Sequence, residues 1–353
     1  MARRRKVRRK IRVGIIGTGG IARAAHIPGY QKVPDCEVFA CCDIVKQKAR
    51  EVAKQFGIPH VFTDYRQMLE MDELDAVSVC TPNYLHKDPT IAALRAGKHV
   101  LVEKPLALNA KEGQAMVDAA KEAGKQLMCG LNNRFRAEAQ ALKRFIDNGL
   151  LGEAYYARAQ ALRRRGIPGW GVFIEKDKQG GGPLIDLGVH ILDLTLYLMG
   201  YPQPIAASGQ TYTKFGHRDD VLGLMGQWDP KKFTVEDFGC GFIRFDNGAT
   251  VYLETSFAAN LEADVFNTVI LGDRGGCQLS PVKMFTEQNQ TLLEMTPTSL
   301  RPVKTHEVEM SLFVEAIRND TPVPIPAEEA LQVTKILDAI YQSAEKGREV
   351  KIR

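Results

Sequence analysis

Asp186, His190, Asp193 and Tyr197 recur at i, i+4, i+7 and i+11 within Leu184 to Met199, a stretch otherwise dominated by Leu and Ile. At helical pitch they form one polar stripe on an apolar rod. A lone histidine on such a helix is more often a satisfied core residue. A histidine one turn from one aspartate and three residues from another is a better candidate for a tuned general base, because a neighbouring carboxylate raises and orients the imidazolium. The second chemical signal is Glu103-Lys104-Pro105, directly after a β-branched run. Pro105 keeps Lys104 out of helical geometry and fixes where its ammonium group points.

A third signal tells what these groups would act with. Gly17-Thr18-Gly19-Gly20-Ile21-Ala22 matches G-x-G-x-x-G/A, follows the strand-like Ile11 to Ile16 and opens a helical stretch. The first glycine permits the tight turn, and the second lets backbone approach a pyrophosphate. Ala22 allows close helix packing, while Gly20 and Ile21 begin a helix whose free N–H groups and positive dipole end suit an anion. Asp43 ends the second strand, 24 positions after Gly19, where its carboxylate can accept hydrogen bonds from the adenosine ribose. That favours NAD over NADP, since a 2′-phosphate would meet a repelling charge. Lys46 and Lys48 lie close enough to leave NADP open.

The elements that position these groups follow from periodicity. Ile11 to Ile16, Glu37 to Cys42, Ala76 to Cys80, Lys98 to Val102 and Gln126 to Cys129 read as strands. Ile44 to Phe56, His86 to Arg95 and Ala110 to Ala123 read as helices stopped by Gly57, Gly97 and Gly124. This alternation predicts a doubly wound parallel sheet with Lys104 at its carboxyl edge, where such folds bind ligands. After residue 130 come a helix (Arg136 to Asn148), a strand, a Gly- and Pro-rich loop and the apolar helix from Pro183 to Met199. Extended segments Phe238 to Phe245, Thr250 to Phe257 and Asp264 to Leu271 follow, with Asp246-Asn247-Gly248 as a turn, then helices Val308 to Arg318 and Ala327 to Lys346. The expected organisation is a basic disordered arm (1–10), a Rossmann domain (11–130) and an α+β domain with a largely antiparallel open sheet (131–353).

Composition excludes other classes. The 353 residues carry a formal net charge of +5, yet eight of the 47 Lys and Arg fall in residues 1–12, leaving a mildly acidic body of 39 basic against 42 acidic side chains. The arm runs directly into the first strand without an apolar export region. No uninterrupted run of 18 apolar residues exists, so no membrane span is expected. Seven cysteines without C-x-x-C read as buried thiols of a reducing, cytoplasmic compartment, with Cys41-Cys42 packing on opposite faces of one strand. No Cys/His set has zinc-ligand spacing, so no metal is expected.

Taken together, the sequence resembles the glucose-fructose oxidoreductase/inositol dehydrogenase family (Gfo/Idh/MocA) over residues 11–353. The resemblance rests on the G-x-G-x-x-A turn, Thr81-Pro82-Asn83 with His86, Glu103-Lys104-Pro105, Gly130-Leu131-Asn132-Asn133-Arg134-Phe135, and the run Gly181 to Asp193. It implies that Lys104, Asp186 and His190 form a catalytic trio and that Thr81, Pro82, Asn83, His86, Glu103 and Asn132 lie near the cofactor. It also allows a cis Lys104-Pro105 peptide, and it implies a homodimer or homotetramer formed through the open sheet. The activity implied is hydride transfer between a nicotinamide and a secondary alcohol of a sugar, glycoside or cyclitol. His190 would take the hydroxyl proton, Asp186 would orient His190, and Lys104 would hydrogen-bond the reacting oxygen.

The run Arg163-Arg164-Arg165 to Trp170 precedes the apolar helix and supplies substrate-pocket candidates: Trp170 to stack on a sugar face and Arg165 to bind hydroxyls or an anion. On a strand, alternate arginines point to solvent, so at least one of the three is surface only. Two other readings remain. One is a redox-neutral glycoside-cleaving enzyme that oxidises a sugar transiently, eliminates a group and reduces the product. The other is a non-catalytic dinucleotide sensor using the arm to contact nucleic acid; it predicts loss of a trio that is present, so nucleic acid is not an expected partner.

Overall fold

The structure, a computed structural model, describes residues 9–352. Residues 1–8 of the expected arm lie outside the described residues; Arg9 forms an ion pair with Asp75. Strands β1 (Ile11–Ile16), β2 (Cys36–Cys42), β3 (His60–Phe62), β4 (Ala76–Val79), β5 (His99–Val102) and β6 (Leu127–Cys129) form one parallel sheet in the order β3-β2-β1-β4-β5-β6. Strand order reverses between β1 and β4, which opens a crevice at their carboxyl ends. The strands carry unbroken apolar runs because helices cover both faces: all residues of β4 are buried, and all but the first of β5.

One strand was not expected. β3 has three residues, pairs only with β2 at the sheet edge, and is half-exposed, so it shows neither an apolar run nor alternation. Boundaries shift by a residue or two elsewhere: Ile44 and Val45 are exposed and precede the helix Lys46–Phe56, and His86 caps the helix Lys87–Arg95. Gly57 and Gly124 end their helices in the left-handed conformation, as expected of a glycine C-cap. Cys41 and Cys42 are both buried, and burial pushes their thiols up to about 11 and about 12.

The second sheet has nine strands: β7 (Ala154–Leu162), β8 (Pro204–Tyr212), β9 (Phe238–Phe245), β10 (Thr250–Ser256), β11 (Val265–Gly272), β12 (Gly275–Gln278), β13 (Lys283–Gln288), β14 (Thr291–Met295) and β15 (Val350–Lys351). All neighbours are antiparallel except β7 and β10. Alternation is clean in the middle: Ala157, Ala159, Ala161, Val251 and Leu253 are buried against helices, while Arg158, Gln160, Tyr252 and Glu254 line the open face.

The stretch Lys176–Met199 is long and apolar enough to pass for a membrane span, but 78% of its most apolar window is buried inside the fold, which makes it a core element. It opens as a short helical turn over Lys176–Gln179, resumes as a π-helical turn over Leu184–Gly188, continues as the helix Val189–Met199, and stops at left-handed Gly200. The helix Thr305–Asn319 returns to the first sheet, where Lys32 Nζ meets Glu307 at 2.5 Å and Arg318 donates to the Pro34 carbonyl.

The polar stripe on this core helix divides. Asp193 and Tyr197 face Arg134, which is almost fully buried. Its guanidinium donates to both Asp193 oxygens (2.6 and 2.9 Å) and to Glu329, with the Tyr197 ring 5.2 Å away. The expectation that Asp193 serves His190 is therefore corrected: its carboxylate is consumed by a buried bidentate ion pair with Arg134. Asp193→Ala would strand Arg134 in the core and is expected to lower unfolding free energy by ~3–5 kcal/mol. Urea denaturation checks this; a loss comparable to that of an exposed ion pair would contradict it.

Candidate active site

The nucleotide end forms first. Gly17 sits at φ +88°, and a Cβ there would lie 2.8 Å from the Cys80 carbonyl, so this turn accepts only glycine; Gly19 and Gly20 face open space. Helical segments Ala22–His26 and Ile27–Gln31 start from this turn. Asp43, following β2, accepts the N–H and hydroxyl of Thr18 at 3.0 and 2.9 Å through Oδ2, and the Val45 N–H at 2.9 Å through Oδ1. A carboxylate offers about four acceptor positions, so one remains for a ribose hydroxyl. Lys46 and Lys48 are exposed beside it. An open glycine turn, an oriented carboxylate and a helix start fit a dinucleotide.

At the next strand ends, Thr81 Oγ1 donates to the Leu85 carbonyl, Pro82 leads into the turn Asn83–Leu85, and Asn83 donates to the Gln179 carbonyl at 3.0 Å. His86 is fully buried between the carbonyls of Pro105 and Thr81 (2.8 and 2.9 Å), tying this turn to the cis Lys104-Pro105 peptide. Glu103 is buried after β5, bonded to His26 Nε2 at 2.7 Å and accepting the Lys104 N–H at 3.1 Å. Burial opposes its charge, but His26 overcomes this and holds the carboxyl at about 2. Asn132 donates to Thr305 Oγ1 at 3.0 Å and contacts the His306 ring.

The two halves meet at Lys104. Its Nζ donates to Asp186 Oδ1 at 2.8 Å and to the Asp186 carbonyl at 3.2 Å. Arg163 Nη1 lies 3.9 Å from the other Asp186 oxygen. Burial would raise the Asp186 carboxyl, but Lys104 and then Arg163 hold it below its ordinary value. His190 lies one turn further on, its Nδ1 buried without a partner. Burial, aided by the Lys104 cation, pushes His190 down to about 3. The expected raised, carboxylate-oriented imidazolium is thus corrected. Asp186 spends its hydrogen bonds on Lys104, and His190 is a neutral imidazole at neutral pH.

The turn carrying Asp186 has its own support. Glu236 accepts the N–H groups of Gly182 and Leu184 at 3.0 and 3.1 Å and the Tyr341 hydroxyl at 2.7 Å. A Cβ on Gly182 would lie 2.1 Å from the Glu236 carbonyl, so the glycine pair permits this contact.

Of the substrate-pocket candidates, Lys104, Asp186 and His190 come together, whereas the contacts that Arg165 and Trp170 make are with other residues. Arg165 donates to the Ala259 carbonyl and Asn260, stacks over Phe215 at 5.0 Å, and lines a groove of roughly 610 Å³ with Arg164, Arg218 and Leu224. Trp170 is 53% exposed, edge-on to Phe173. Arg164 is the exposed arginine that alternation required, and Arg163 is the one that reaches Asp186. Sequence reasoning missed Arg163, because residues 163 and 165 share one parity on an extended chain. It also missed His26 and Glu236, whose partners lie 77 and more than 50 positions away.

The glycine turn, its aspartate and a lysine facing an aspartate across the sheet edge are groups that a nicotinamide-dependent oxidoreductase needs. The chain belongs to the GFO_IDH_MocA oxidoreductase family: residues 11–131 match its NAD-binding Rossmann fold and residues 143–352 its C-terminal alpha/beta domain. It is 38% identical to D-glucoside 3-dehydrogenase of Escherichia coli K12 over 97% of both chains. It is 25% identical to myo-inositol 2-dehydrogenase of Thermotoga maritima over 97% of this chain and 98% of the other. Among solved structures it resembles levoglucosan dehydrogenase in complex with NADH and L-sorbose, with a TM-score of 0.85, 26% identity and coverage of 98% of this chain and 100% of the other.

The opposed electrostatics of two histidines are directly measurable. Burial lowers His190, whereas the Glu103 carboxylate, 2.7 Å away, raises the buried His26 against its desolvation. In long-range ¹H–¹⁵N spectra at pH 6.5, His190 is expected to be a neutral imidazole and His26 an imidazolium. A His190 titrating near its ordinary 6.5 would contradict this geometry.

Proposed function

We propose that this protein oxidises a secondary hydroxyl of a glucoside or closely related sugar, with NAD as hydride acceptor, through Lys104, Asp186 and His190. The Lys104–Asp186 contact carries the reading, because it brings a cation and a carboxylate from the two halves of the chain to the sheet edge beside the glycine turn. The 38% identity to D-glucoside 3-dehydrogenase over nearly the full length supports a glucoside over a cyclitol.

When bound, NAD supplies the hydride acceptor; the polar work falls to the chain. Lys104 Nζ, held by Asp186, would donate a hydrogen bond to the reacting oxygen and stabilise charge as the hydroxyl proton leaves. His190, neutral beforehand, would receive that proton, and the resulting imidazolium would be favoured by the nearby Asp186 and Glu103 charges. Glu236 would hold the turn that presents Asp186, and Arg163 would share its charge. Gly17, Gly19, Gly20 and Ile21 would bind the pyrophosphate and Asp43 the ribose. Thr81, Pro82, Asn83, His86, Glu103 and Asn132 would shape the nicotinamide end. Arg165 and Trp170 remain substrate contacts only if the aglycone extends along their loop. The free state of all seven cysteines supports a cytoplasmic setting, and the half-polar open face of the nine-stranded sheet supports a homodimer or homotetramer.

With a glucoside and NAD, NADH is expected to accumulate in proportion to substrate consumed. Lys104→Ala or His190→Ala should lower kcat by at least ~100-fold while NADH binding, followed by fluorescence, is retained. Full hydride transfer in either variant would overturn the assignment, and aglycone release without NADH would show the redox-neutral reaction instead.

A further inference from the structure

His26 has no place in the chemistry above, and it is completely buried, so it touches neither substrate nor cofactor. Its Nε2 meets Glu103 Oε1 at 2.7 Å, its Nδ1 meets Ser78 Oγ at 3.2 Å, and Ser78 is in turn bonded to the Tyr30 hydroxyl at 2.7 Å. The other Glu103 oxygen accepts the Lys104 backbone N–H. One chain of polar contacts therefore runs from the helix after the glycine turn, through β4, to the backbone of the lysine.

We propose that His26 is a positioning residue: through the Glu103 carboxylate it fixes the Lys104 backbone and keeps a second negative charge beside the Lys104 and His190 side chains. This rests on the oxidoreductase reading given above.

The surroundings leave His26 as the cation that can do this from behind the sheet. Cys80 and Cys129 approach Glu103 from the ends of β4 and β6, and burial raises both thiols, so they stay uncharged. A Cβ on Gly130 would lie 3.3 Å from Glu103 Oε1, which closes that side to larger groups. From the helix Thr305–Asn319 come His306, lowered by its burial, and Glu309, fully buried with neither carboxyl oxygen hydrogen-bonded. Burial and the Glu103 charge push Glu309 far up, so it is a neutral carboxyl and adds no negative charge. In front, Lys104 is bonded to Asp186, and His190 is neutral. Without the His26 cation, burial is the largest influence on Glu103 and favours its protonated form. The Lys104 N–H would then lose a charged acceptor, and His190 would lose one of the two carboxylates that favour its imidazolium.

His26→Gln keeps an amide donor toward Glu103 but removes the charge. Its kcat is expected to fall up to ~100-fold at the acid end of the profile, with KM much less affected. Because Glu103 then ionises only as pH rises, kcat should climb with pH over a range where the wild type is flat, and the His26→Gln/Glu103→Gln variant should lose that limb. Infrared spectra of the protein alone should show an additional protonated-carboxyl band in His26→Gln, beyond the Glu309 band, that disappears in the double variant. A profile parallel to wild type, or no additional band, would overturn the proposal. If His26→Gln does not fold, Glu103→Gln carries the test: it should have the same low kcat and a neutral His26 imidazole at pH 7, and wild-type kcat there would overturn the proposal. The infrared result needs no substrate. Should the protein transfer no hydride to any sugar, the oxidoreductase reading fails and the band still decides the ion pair; should the band appear with kcat unchanged, only the positioning role fails.

Discussion

The contact between Lys104 Nζ and Asp186 Oδ1, 2.8 Å long, is the constraint around which the rest of the molecule is arranged. Its two ends arrive by unrelated routes. Lys104 is delivered by β5 and a cis Lys104-Pro105 turn braced by His86, and Asp186 by a π-helical turn braced by Glu236. A partly buried lysine and a buried aspartate each lose solvation, and a short pairing with further polar contacts offsets that loss. Moving either backbone by an ångström would break that balance, so the supporting shell is as necessary as the pair.

Around the pair, charge is distributed in three separate compartments. His26 and Glu103 pair behind the strand ends, Lys104 and Asp186 pair at the cleft, and Arg134 bridges Asp193 and Glu329 beneath the core helix. Glu309 and His190 are among the groups that burial leaves uncharged. The neutrality of His190 is the functionally telling one. The proposed role of His190 as a base needs an unprotonated imidazole, and the carboxylates of Asp186 and Glu103 favour its charged form once a proton arrives.

The sequence told much about the fold because its signals are local. Apolar runs ended by left-handed glycines marked the helices, and Ala110–Ala123, Ala327–Lys346 and Phe238–Phe245 emerged with their expected bounds. The three-residue edge strand β3 escaped because it is half-exposed and pairs on one side. At the site, spacing singled out Asp186 and His190, which the fold brings to Lys104, but misassigned their electrostatics. Helical periodicity places Asp193 and Asp186 near His190, yet it is blind to Arg134 and Lys104, which take both carboxylates from elsewhere in the chain. Spacing likewise could not separate Arg163 from Arg165, since both share one side of an extended segment and only tertiary packing brings Arg163 to Asp186.

The account stands on Lys104 and Asp186 acting as one unit. Single-turnover hydride-transfer rates in Lys104→Met, Asp186→Asn and the double variant test this most directly. If the pair is one unit, the double variant should be no slower than the slower single variant. If the two losses multiply in the double variant, Lys104 and Asp186 act independently and the central claim is wrong.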